Sequence, residues 1–188
     1  KSSAIRFVVT TICCASVLEI AYIVLQATRG QASHYNYSDW LHVALYGLMG
    51  VGAILMLVTQ GVLAVQISRF CRNDIEPVWR MGVISGLWLT LILGAGAGMI
   101  LSLVQPPEGS GIPITGWHML RDLRPAHFLG MHAQQLLPLL GMMLLGQPDS
   151  NAKRTLYIAV ILYIAIWIVL VVLGLHESNF SSMRNFIP

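Results

Sequence analysis

The stretch Thr155–Leu175, TLYIAVILYIAIWIVLVVLGL, carries no charged residue from end to end. A run of this length matches the ~20 helical residues needed to cross the ~30 Å hydrocarbon core of a bilayer. Inside a bilayer every peptide group has to be bonded within the chain, so a continuous apolar run of this length reads as a helix. A transmembrane β-strand is excluded for the same stretch. Barrel strands alternate polar and apolar residues over ~10 positions, and this run does not alternate.

Four further runs read the same way, at about residues 4–27, 41–68, 79–104 and 126–146, with the last span at 155–175. Between them lie segments rich in turn residues. The longest, 105–125, holds Pro106, Pro107, Gly109, Gly111 and Pro113, and is too long for a simple connector. Composition agrees with this layout. The chain is 56% hydrophobic and 10% charged, against about 25% charged residues in a soluble domain. The expected fold is all-α: a polytopic transmembrane helical bundle of about five spans, with residues 1–188 forming a single transmembrane domain. The first apolar run is too long for a signal-peptide core and has no small-residue cleavage pattern after it, so it is read as a retained span.

Charge asymmetry gives the orientation. With five spans, Lys1, Arg6, Arg69, Arg72, Arg80, Lys153 and Arg154 fall on one side, and Arg29, Arg121, Arg124 and Arg184 on the other. The positive-inside rule places the first group in the cytoplasm, with the N-terminus inside and the C-terminus outside. Cys13, Cys14 and Cys71 form no CxxC pattern and read as small buried hydrophobes. Gly47 and Gly50, Gly82 and Gly86, and Gly94 and Gly98 have the spacing that lets helices approach closely, within the bundle or against other membrane subunits. Membrane lipids are the expected partners. A phosphate-binding loop, a nucleotide fingerprint and a basic stripe for nucleic acid are all absent from the sequence, so no nucleic-acid partner is expected.

In this topology His34, His42, His118, His127, His132 and His176 all lie on the outer side or in the outer half of a span. Histidine is the commonest metal ligand. His132 follows His127 by five residues, which places it ~7.5 Å deeper and turns it by ~140°, so the two rings do not share one helical face. Glu19 lies at about the depth of His132, with Tyr22 and Gln26 on its own face. An intramembrane carboxyl is costly and marks a functional site by default.

The expected site is therefore a metal centre of Glu19, His34, His127 and His132, supported by Tyr22, Gln26 and Gln135. It would hold zinc, iron or copper. Haem b is the other candidate cofactor, held by His42 and His127 on facing helices. No reaction is assigned, because no HExxH, GxSxG or trustworthy Ser/His/Asp ordering is present. Two further readings stand beside it: a non-catalytic subunit of a respiratory or photosynthetic complex, and a small transporter or proton relay through Glu19 and His132.

The stretch RPAHFLGMHAQQLLPL, Arg124 to Leu139, with Ser33-His34-Tyr35-Asn36 upstream, resembles an uncharacterised family of small bacterial multi-pass membrane proteins. The resemblance implies a bacterial inner membrane and supplies no activity. Where that pattern has glycine before Asp122, this chain has Arg121.

Overall fold

The computed structural model describes residues 2–71, 75–104, 107 and 109–176. The expectations that rest on Lys1, Arg72, Pro106, Arg184 and the rest of the tail lie outside the described residues. The described chain is helical, with no strand among the described residues. The helices are α1 (Ser2–Thr28), α2 (Trp40–Phe70), α3 (Pro77–Leu103), α4 (Arg124–Met143) and α5 (Asp149–Leu175). α3 is continuous but contains one π-turn, Thr90–Gly94. The last helix starts six residues before the expected span, because Asp149 and its ion-pair partner Lys153 extend its first turn, at 2.6 Å.

Four of these helices are long and apolar enough to cross a membrane: α1, α2, α3 and α5. α4 is not among them. Its 20 residues would span about 30 Å, but Arg124, His127, His132, Gln134 and Gln135 lower its hydropathy.

The chain divides into two compact units, Lys1–Arg69 and Phe70–Pro188. The first is the α1–α2 hairpin. Its helices approach closely where Gly52 meets Ala15: a Cβ on Gly52 would lie 3.5 Å from that of Ala15. At the loop end, Gln26 is fully buried and donates from Nε2 to Tyr22 Oη (3.2 Å) and to the Ala32 carbonyl (3.3 Å). The loop folds back over α1 for that reason, and Tyr46 of α2 then collects the rings of His34, Tyr35 and Tyr37 at centroid distances of 5.7–6.1 Å.

The second unit is a three-helix bundle whose helices run alternately up and down. α4 presents Ala126, Gly130, Ala133, Leu137 and Gly141 to its neighbours, a stripe at three- and four-residue steps. Opposite it, α3 presents Gly82, Gly86, Gly94 and Gly98. A Cβ on Gly82 would lie 2.6 Å from the Leu137 carbonyl oxygen, and one on Gly130 would lie 2.7 Å from the Gly94 nitrogen. The backbones therefore touch. The glycines expected to mark helix contacts serve this interface in α3. In α2, Gly47 and Gly50 have no atom within 4 Å of where a Cβ would be.

α5 covers the other side of α4. One end of the bundle is filled by Val78, Leu144, Ala152 and Leu156, and its middle by Leu93, Ala133 and Tyr163. The Tyr163 hydroxyl donates to the Leu129 carbonyl. At the remaining end the 109–123 loop is pinned to the last turn of α5 by an Arg121 N–H bond to the Leu173 carbonyl, 3.1 Å. Arg121 adopts φ +62, in the left-handed region where an L side chain crowds the following carbonyl at a cost of about 1–2 kcal/mol. Arg121→Gly is therefore expected to raise stability by about 0.5–1 kcal/mol, the strain relieved less the extra freedom glycine gains when unfolded. Unfolding in mixed micelles checks it; a variant less stable than the parent would show that the Arg121 side chain holds the loop by some other contact.

Candidate functional site

Glu19 lies midway along α1 and lines a cavity of about 260 Å³ between the two helices of the first unit. Ala15 and Gly52 border one end, and Leu25 and Leu45 the other, with Leu18, Ala21, Tyr22, Leu48 and Met49 between. Among the described residues that line it, Glu19 alone is charged and Tyr22 is the one other polar residue. Tyr22 and Gln26 do lie on the Glu19 face of the helix, but they bond to each other and to the loop. Among the described residues the Glu19 carboxyl has no hydrogen-bond or ion-pair partner.

The hairpin loop accounts for His34 and His42. His34 Nδ1 lies 3.0 Å from the Ser33 hydroxyl, and its ring meets Tyr46 edge-on. His42 sits in the first turn of α2. Its backbone N–H donates to Asp39 Oδ1 (3.0 Å) and its Nδ1 lies 2.8 Å from Asp39 Oδ2. This is a helix-start arrangement that satisfies an otherwise free amide. The His42 backbone N–H, then the His42 ring, hold the Asp39 carboxyl below its ordinary range.

In the second unit His127 points at α3. Its Nδ1 lies 3.1 Å from the carbonyl oxygen of Gly94, the last residue of the π-turn, where helical bonding is re-phased. A carbonyl only accepts, so Nδ1 carries the proton, and in the neutral ring Nε2 carries the lone pair. The imidazole lies against Gly98, where a Cβ would come within 2.9 Å of its Cε1. His132 packs against Phe128 with the rings tilted by 47° at a centroid distance of 4.0 Å, and Phe128 in turn meets Trp117 at 5.2 Å. Gln135 is exposed.

Glu19, His34 and His42 thus belong to the first unit, and His127 and His132 to the second. Among the described residues no three His, Cys, Asp or Glu side chains come together at distances that hold a metal ion.

The densest polar constellation is one that sequence reading saw only in part. Asp122, whose side chain is solvent-inaccessible, accepts the backbone N–H of His118 at Oδ2 (2.8 Å) and that of Arg124 at Oδ1 (3.0 Å). The Arg124 guanidinium adds Nε to Oδ1 at 2.9 Å and Nη2 to Oδ2 at 2.7 Å, and Nη2 also donates to the Gly116 carbonyl at 2.7 Å. Burial alone would raise the Asp122 carboxyl. The Arg124 bonds and the two backbone donors outweigh it and hold the group below its ordinary range. The cap and the ion pair at Asp122 therefore form one knot closing the 109–124 loop.

Two groups were not anticipated. Buried Thr90 accepts the Gln134 N–H at 3.0 Å, and Tyr163 reaches the Leu129 carbonyl. Neither residue type is unusual in an apolar run, so only the opposing helix reveals its role. Comparison of the chain with protein-family models, with curated proteins and with solved structures gave no match.

Proposed function

We propose that this chain is a multi-pass protein of a bacterial inner membrane that takes a lipid-soluble ligand at Glu19. The observation that carries the reading is the Glu19 carboxyl: it lines an apolar cavity and meets no partner among the described residues. Ionisable groups in membrane helices pair with one another, face water or mark a substrate path. A carboxyl left unmet among the described residues reads as a binding group.

Five spans are supported by the packing of α4. Its 20 residues would cover about 30 Å, and its stripe of Ala126, Gly130, Ala133, Leu137 and Gly141 packs inside the bundle with α3 and α5. An odd number of spans puts the N-terminus inside and the tail outside, in keeping with the basic residues at the first, third and fifth membrane entries. Extracting the purified protein with organic solvent and comparing the small molecules by mass spectrometry tests the ligand reading. A species present with the parent chain and depleted at least tenfold with Glu19→Gln is expected. Identical extracts from both proteins would overturn it.

A transition metal or haem is the second reading, and one feature favours it. Histidines that ligate metals donate their other ring N–H to a carbonyl or carboxylate, fixing the tautomer, and His127 is held in that way by Gly94. Metal content and a Soret band in purified protein are the test. Colourless, metal-free and fully folded protein would remove this reading.

A further inference from the structure

The groove at Glu19 has a composition that selects among ligand chemistries. Its walls are aliphatic except for one carboxyl and one phenol. Both N–H donors of the nearest amide, Gln26, are engaged, one by Tyr22 Oη and one by the Ala32 carbonyl. Among the described residues the groove therefore holds a carboxyl, a phenol and no cation. A metal ion would find a single carboxylate and a phenol, too few donors to replace its hydration shell. A ligand headed by a carboxylate or phosphate would meet like charge. What complements one carboxylate in a narrow apolar groove is one cation with N–H donors.

We propose that the groove binds a lipophilic amine, an ammonium head on an apolar body, with the head on Glu19 and the body between Leu18, Leu45, Leu48 and Met49. This rests on the reading of Glu19 as a binding group and names its ligand. An ammonium supplies three donors, and the Tyr22 phenol lines the same groove as Glu19. The selectivity comes from the head. Lipid tails are as apolar as the leucine walls, so the chain of the ligand gains little on leaving the bilayer for the groove. Removing the charge of Glu19 is then expected to remove most of the affinity. Ala21, small and on the exposed side of the helix at the groove, gives a way to block the cavity without altering the carboxyl.

The experiment uses the full chain in nanodiscs of zwitterionic lipid, with decylammonium as probe and decanol as its neutral match. Saturable decylammonium binding is expected for the parent chain. It should weaken at least tenfold in Glu19→Gln and at least tenfold in Ala21→Trp, with no saturable binding of decanol. If Glu19→Gln fails to fold, Ala21→Trp alone decides. Parent-like decylammonium affinity in a folded Glu19→Gln overturns the proposal. Saturable decanol binding that Ala21→Trp blocks would overturn the amine while leaving Glu19 and its groove a ligand site. Absence of saturable binding for both probes, with matching organic extracts from parent and Glu19→Gln, would overturn both readings. A crosslink from Glu19 to a basic residue of a second chain would replace the amine with a protein partner.

Discussion

Asp122→Asn is expected to open the 109–124 loop and to cost about 3 kcal/mol of stability in the second unit, although the side chain barely changes shape. The carboxylate accepts two backbone N–H groups and a bidentate guanidinium. Asparagine has one acceptor oxygen. Its amide nitrogen would face a donor whichever way it is flipped. Breaking a buried ion pair costs about 3–5 kcal/mol because the surviving charge is stranded. The lower end applies here, since the Arg124 side chain keeps 32% of its exposure. The consequence reaches beyond the pair. Arg124 also holds the Gly116 carbonyl, and Arg121, the residue before Asp122, bonds α5 at Leu173. Limited trypsin digestion reads the opening directly, because cleavage after exposed Arg121 requires the loop to leave α5. Cleavage at the parent rate would show that the knot does not hold the loop.

A double variant separates charge from shape. Arg124→Met in the Asp122→Asn background removes the stranded cation, so it should recover part of the loss rather than add to it. The pH dependence follows from the same bonds. Asp122 is held below its unfolded value, so its contribution is complete above about pH 4, near the unfolded carboxyl. It is lost as pH falls through the lower folded value. Between pH 5 and 8 the loop should show constant trypsin resistance from this source.

The helices were legible because apolar length alone dictates them: a chain that buries its peptide groups in lipid has few choices. α4 was harder. Hydropathy reads residue type and is blind to neighbours, and most of the face that α4 buries is alanine and glycine, which a hydropathy sum barely registers. The glycines of α3 announced a close contact, but not its partner, since nothing in their spacing names Gly130 or Leu137 across the interface. The histidines show the limit most clearly. The five-residue spacing of His127 and His132 correctly separates their faces: one ring bonds Gly94 and the other packs against Phe128. Whether His127 is a ligand or a helix-to-helix donor depends on a carbonyl set by a π-turn 33 residues earlier, and no local pattern encodes that. Glu19 stood out as a charge in an apolar run. That its neighbours Tyr22 and Gln26 would bond each other and leave it unmet required the loop to fold back over them.

Gly130→Val is expected to disrupt the second unit outright. A Cβ at Gly130 would lie 2.7 Å from Gly94 N, 2.8 Å from Leu93 C and 2.9 Å from Gly94 Cα. All three are backbone atoms, so no side chain can swing aside, and the helices must separate. Separation carries a chain of losses. The His127 bond to Gly94, the Gln134 bond to Thr90 and the contact of Gly86 with the Ala133 carbonyl all depend on the same close approach. Overpacking a dense interior costs about 1–3 kcal/mol even where side chains can repack. Here the collision is backbone on backbone and several hydrogen bonds go with it, so Gly130→Ala should already cost about 2–3 kcal/mol. The control is built into the chain. Gly47 and Gly50 of α2 have open space where a Cβ would go, so Gly47→Ala and Gly50→Ala should leave stability within about 0.5 kcal/mol of the parent or raise it slightly, since alanine is the better helix former. Unfolding of all four variants in mixed micelles compares them directly. Equal losses at Gly130 and Gly50 would mean that the α3–α4 approach is not what sets the stability of this bundle. A loss at Gly50 alone would mean that the open face of α2 is covered by another chain.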